Sequence, residues 1–156
     1  DSLEQDSSLT DEQRKQVEDM KNKLQSAKDS AQQQQENEQK KSERRQEFSS
    51  EMDELESDDL KISSAANAED ELAMTASSFE QWDELLSEMY DYLAGVLNAD
   101  QYASEEENYK QWVAERDSGA ENAASATEDS TQKQLASYSF KQSYTKARCY
   151  KLLDMM

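Results

Sequence analysis

Any chemistry in this 156-residue chain has to come from carboxylates, a single thiol and arginines set beside aromatic rings, because histidine is absent. Without imidazole there is no Ser-His-Asp or Cys-His proton relay and no histidine metal ligand. Carboxylates are plentiful, in the runs Asp53/Glu54/Glu56, Glu69/Asp70/Glu71 and Glu105/Glu106/Glu107. General acid–base catalysis needs a carboxyl whose ionisation is shifted by burial or by a close like charge. These runs fall at expected helix ends and polar faces, where carboxylates favour the helix dipole and stay hydrated. No segment alternates Asp or Asn ligands around a glycine as a calcium loop requires. Cys149 sits on an apolar seam between Thr145 and Leu152, a small buried thiol in the simpler reading and an intermolecular disulfide partner in the sharper one. A single Cys makes no internal disulfide and no Cys cluster for zinc or iron–sulfur. No catalytic residue, metal ligand or cofactor-binding set emerges, and the chain reads as a protein that is not an enzyme.

The arginines are the least ordinary feature. Arg116 lies one helical turn after Trp112 with Asp117 beside it, and Arg148 flanks the seam three residues after Thr145. An arginine next to a core stripe packs its stem and satisfies its fork with carboxylates or helix-end carbonyls. The alternative is an anchor on a binding surface, because Arg, Trp and Tyr are favoured at interface hot spots. Trp82, Tyr90, Tyr92, Tyr102 and Tyr109 carry the same two readings, and their helical spacing favours the core.

The elements that must position these groups are helical. Proline is absent and glycine occurs twice, which removes the usual strand and turn punctuation, and no stretch alternates with a period of two. Mean hydropathy is −1.19 and apolar residues make up 34% of the chain. That is below the roughly 45–50% of an ordinary globular domain, so a single compact globule of this length is not expected. The charge divides the chain. Residues 1–46 hold 9 basic and 11 acidic side chains and no aromatic, whereas residues 47–156 hold 8 basic and 25 acidic, a net of −17. The first part, rich in Gln, Lys and Ser, reads as an arm or stalk, helical or disordered, and the second as an acidic helical domain.

In the arm, Asp1–Ser8 look like a solvated tail and Thr10 starts a helix. Val17, Met20, Leu24, Ala27 and Ala31 then keep the 3,4 spacing of a coiled-coil seam, which turns polar at Gln34, Glu38, Lys41 and Arg45. A helix over 12–46 would reach about 50 Å at 1.5 Å per residue. In the domain, Ser50 with Asp53 is expected to cap a short helix ending near Asp58–Asp59. Asn67 with Asp70 opens a helix from about 68 to 97, whose stripe is Leu72, Phe79, Trp82, Leu85, Leu86, Met89, Leu93 and Val96, with Asn98 as a left-handed stop. Ser104 with Glu107 is expected to cap a third helix carrying Tyr109, Trp112, Val113, Arg116, Ala120 and Ala123. A last helix from Ser130–Thr131 carries Leu135, Tyr138, Gln142, Thr145, Cys149, Leu152 and Met156. The expectation is an all-α antiparallel bundle of about four helices.

Three motifs in order carry a family resemblance. The run Trp82-Asp83-Glu84-Leu85-Leu86-Ser87-Glu88-Met89-Tyr90-Asp91-Tyr92-Leu93 resembles the W-D-x-x-L-N-x-x-Y-x-x-L run in the long second helix of the lysozyme inhibitor LprI-like N-terminal domain. Trp112-Val113-Ala114-Glu115-Arg116-Asp117 is similar to that family's W-x-x-x-R-D, and Thr145 to Leu152, with Arg148 in its place, to its T-x-x-R-x-x-x-L. The likeness covers roughly residues 48–154. Ser87 stands where Asn is usual, Tyr109 where Gln is usual, and Glu128-Asp129-Ser130-Thr131 replaces a glycine-rich turn. The resemblance implies a small helical domain of bacterial secreted proteins and lipoproteins of the cell envelope, some of which bind and inhibit lysozyme. It marks Trp82, Asp83, Tyr90, Trp112, Arg116, Asp117, Thr145 and Arg148 as family-motif residues, which we read as structural. A signal peptide or lipid anchor upstream of Asp1 is compatible with it, and the polar arm would then act as a spacer.

The excess negative charge argues against nucleic acid as a partner and for a cationic protein such as lysozyme. No apolar run is long enough to span a bilayer. A structural or adaptor protein of the envelope, a monomer or a weak homodimer joined through the arm, is the alternative.

Overall fold

The computed structural model describes residues 9–156, and the tail expected over Asp1–Ser8 lies outside them. Four helices follow in order: α1 (Asp11–Asp59), α2 (Ala68–Val96), α3 (Ala99–Ser125) and α4 (Ser130–Met155), with a 3-10 turn over Leu60–Ser64 after α1. Among the described residues there is no strand, and the chain is all-α.

Local chemistry explains the helix starts. Thr10 and Gln13 exchange backbone–side-chain hydrogen bonds of 2.9 and 3.2 Å, a reciprocal cap opening α1. The Asn67 side chain accepts from the Asp70 amide at 2.8 Å, and the Asp129 side chain from the Gln132 amide at 2.9 Å. Each such cap contributes about 1 kcal/mol.

Two expected boundaries are corrected. No helix begins at Ser50: α1 runs through it, since Phe48 and Met52 share one apolar face and no Gly or Pro interrupts the ladder. Nor does Ser104 open α3. Asn98 does, exchanging bonds of 2.8 and 3.1 Å with Gln101 in a capping box. Asn98 is also no left-handed stop. Leu97 ends α2 in extended backbone, and no residue among those described, glycine included, has a positive φ.

The chain divides into two units, Asp1–Glu43 and Arg44–Met156. In the first, residues 10–43 are exposed, including Val17, Met20 and Leu24 at 38%, 56% and 63%. Side-chain bonds one turn apart, Gln25 to Asp29 and Gln39 to Glu43, run along its polar faces.

The second unit holds the core. Helix α4 packs against both α2 and α3. Trp82, Leu85, Leu86, Met89 and Leu93 from α2 meet Cys149, Leu152 and Leu153 from α4, Trp112 from α3, and Phe48 and Met52 from the end of α1. Burying each large side chain contributes about 1.5–3 kcal/mol. Val96, expected on the α2 stripe, is half exposed. Where α3 and α4 approach, a Cβ on Gly119 would lie 2.2 Å from the Phe140 ring, so only glycine leaves that ring room. Gly95 meets nothing within 4 Å.

Candidate functional site

Four of the family-motif side chains, Asp83, Tyr90, Trp112 and Asp117, meet the two motif arginines. Arg116 on α3 donates through Nη1 to Asp83 on α2 at 3.1 Å and through Nε to its neighbour Asp117 at 3.1 Å. Its guanidinium lies 5.3 Å from the Phe79 ring and 5.1 Å from Trp112. Arg148 on α4 donates through Nε to the Tyr90 hydroxyl at 2.9 Å and through Nη2 to Glu105 at 2.5 Å, and sits 5.9 Å from Trp112. Tyr90 in turn donates to Glu105 at 3.2 Å. Side-chain exposure is 7% for Arg148 and 12% for Glu105, so this ion pair is withdrawn from water. Burial pushes the Tyr90 hydroxyl up to about 12, outweighing the Arg148 contact that lowers it.

A second polar centre was not foreseen. Asp59, at the end of α1, accepts from the Ser78 hydroxyl, from Trp82 Nε1 at 3.0 Å and from Lys146 at 2.8 Å. Burial alone raises its pKa, but hydrogen bonds from Lys146, Ser78 and Trp82 together hold it below the usual carboxyl value. Lys146 also reaches Glu56 at 3.3 Å; burial lowers its pKa, and the Asp59 and Glu56 carboxylates reverse this to a net rise. The Asp59 partners lie 19 and 23 residues onward, beyond any local spacing signal.

The rings form a continuous path. Tyr90 meets Tyr109 edge-on at 4.8 Å, Tyr109 stacks on Trp112 at 5.7 Å, Trp112 on Tyr144 at 5.6 Å, and Tyr144 on Phe140 at 5.4 Å. Such pairs contribute about 0.5–1.5 kcal/mol each beyond area burial. Thr145 is fully buried with its hydroxyl unpartnered among the described residues. Cys149 is fully buried, its thiol 3.6 Å from the Trp82 carbonyl and pushed by burial up to about 12. All eight family-motif residues therefore lie in the second unit, with Arg116 joined directly to Asp83 and Asp117 and Arg148 directly to Tyr90. Glu105, read from sequence as one of a solvated run, is instead the carboxylate that closes on Arg148. Its only sequence signal was its distance of one turn from Tyr109.

Among the described residues no group of three or more Cys, Asp or Glu is placed to hold a metal ion, and no helix is long and apolar enough to cross a membrane. What the fold and its side chains define is an acidic helical bundle whose interior arginines tie three helices together. The chain belongs to the Lysozyme inhibitor LprI family, whose model matches residues 62–152, the span that holds all three motifs. Neither the curated proteins nor the solved structures gave a match.

Proposed function

We propose that this chain is a bacterial secreted or surface-held protein that captures lysozyme and inhibits it, acting by binding and not by catalysis. The carrying observation is membership of a family described as lysozyme inhibitors. The net charge of −17 over residues 47–156 supports it, because an anionic surface speeds encounter with a cationic protein and favours it over others. On this reading residues 47–156 are the binding domain and residues 1–46 a spacer. The family-motif residues Trp82, Asp83, Tyr90, Trp112, Arg116, Asp117, Thr145 and Arg148 hold the bundle together instead of touching the partner. The test is calorimetric titration of lysozyme into the full chain at low and high salt, paired with a cell-wall lysis assay. Binding that weakens with salt, together with slowed lysis, is expected. Absence of heat at low salt would end this reading.

The exposed stripe Val17, Met20 and Leu24 favours a second reading, an adaptor that docks through its arm. On that reading two copies associate through their arms as a weak homodimer. Sedimentation of the full chain as a monomer at all concentrations would leave the arm as a spacer.

A further inference from the structure

Between α2 and α3 lies a pocket of about 220 Å³, open to solvent at its mouth and lined from Ser87 to Leu97 on one side and from Tyr102 to Tyr109 on the other. Its inner wall is apolar and aromatic: Leu93 is buried, and Leu97, Tyr90 and Tyr109 are half-buried. Its mouth is polar, with Asp91, Glu106 and Tyr102 exposed. We propose that this cavity is a socket for the cationic side chain, lysine or arginine, of a basic protein partner. The inference rests on the proposed capture of such a protein and assigns the place where it is gripped.

Size comes first. Pockets for drug-sized molecules start at about 300 Å³, so this cavity suits one side chain and not a larger ligand. Its chemistry then selects the charge. Tyrosine faces attract a cation through the ring quadrupole, more strongly where water is excluded. Glu105 is already taken by Arg148 and Tyr90, but Asp91 and Glu106 have no hydrogen bond or ion pair among the described residues. Two uncommitted carboxylates at the mouth of an aromatic-walled cavity would repel an anion and are wasted on a neutral ligand. An alkyl stem against Leu93 and Leu97 with its charge at the carboxylates satisfies every part of the lining.

The experiment uses the full chain in four forms: unchanged, Tyr102→Ala, Asp91→Asn with Glu106→Gln, and a charge-matched control, Glu80→Gln with Glu121→Gln. Glu80 and Glu121 are exposed and outside the cavity. Lysozyme affinity is measured by calorimetry, and n-butylammonium, with n-butanol as its neutral control, is titrated while amide NMR shifts are followed. Both cavity variants are expected to weaken lysozyme about tenfold or more and the control pair about twofold or less. Butylammonium should shift the Ala94, Tyr102 and Glu106 amides of the unchanged chain but not of the Asp91→Asn/Glu106→Gln form, and butanol should shift none. Equal losses in the cavity and control pairs would reduce the effect to general charge attraction and overturn the socket while leaving capture intact. If lysozyme fails to bind the unchanged chain, the capture reading falls. The butylammonium titration then decides the socket alone, upheld by localised shifts and overturned by their absence.

Discussion

Replacing Glu105 with alanine leaves the Arg148 guanidinium, 7% exposed, without the carboxylate that meets it at 2.5 Å. At an effective dielectric of about 20, unit charges roughly 4 Å apart attract by about 4 kcal/mol, and breaking a buried pair by removing one partner costs about 3–5 kcal/mol. The unit spanning Arg44–Met156 has just over a hundred residues. For that size a loss of 1 kcal/mol lowers Tm by about 4 °C, so Glu105→Ala should lower it by about 12–20 °C. Arg148→Met should cost a similar amount, because it leaves the Glu105 carboxylate, 12% exposed, with the Tyr90 hydroxyl as a donor but no cation to neutralise it. The pair Glu105→Leu with Arg148→Met, apolar on both sides, should recover most of the loss, so the double change should cost less than either single one and the cycle should be strongly non-additive. Thermal and urea unfolding of the four proteins measure this. Single changes that each cost under about 1 kcal/mol would mean the pair behaves as a surface ion pair, and the staple role given to Arg148 would be wrong.

Glycine substitutions should split in sign. Gly95→Ala, with open space around its Cβ, should stabilise by about 0.5–1 kcal/mol through helix propensity, whereas Gly119→Ala collides with Phe140 and should destabilise by about 1–2 kcal/mol, relieved by adding Phe140→Leu; melts of all three decide. Asp59 has a carboxyl pKa lowered by folding, so its contribution is present above the ordinary value of 3.8 and fades as pH falls through the lower folded value. Asp59→Asn should therefore be more damaging at pH 7 than at pH 3, read from melting curves across that range. The Cys149 thiol, raised to about 12 and fully buried, should react with iodoacetamide at pH 8 only as fast as the core opens, and urea below the unfolding midpoint should accelerate it; rapid native labelling would contradict the packing.

The apolar stripe of α2 was legible because Trp82, Leu85, Leu86, Met89 and Leu93 recur at helical spacing and every one is buried. Asn67 and Thr10 were legible as caps because their partners lie three residues on. Asn98 was misread because one residue type serves both ends of a helix, and only the bond from Gln101 tells which end it serves. Ser104 and Glu107 spell a capping box inside α3, where the preceding turn already supplies the helical partners, so the pattern has nothing to cap. The Arg116 and Arg148 readings pointed to carboxylates, and Asp117 was visible as a neighbour. Asp83 and Glu105 were not, because their partners are 33 and 43 residues distant and only the packing of helices brings them into reach.

Helix α4 is the one that α2 and α3 both lie against, and it is the last of the four to be synthesised. While the ribosome is still making it, the Trp82–Leu93 face of α2 lacks Cys149, Leu152 and Leu153, which complete its core, and Arg116 can find Asp83 without fixing the rest. The surfaces of α2 and α3 that α4 covers thus stay exposed until α4 has emerged, so closure of this core waits on the arrival of one late element.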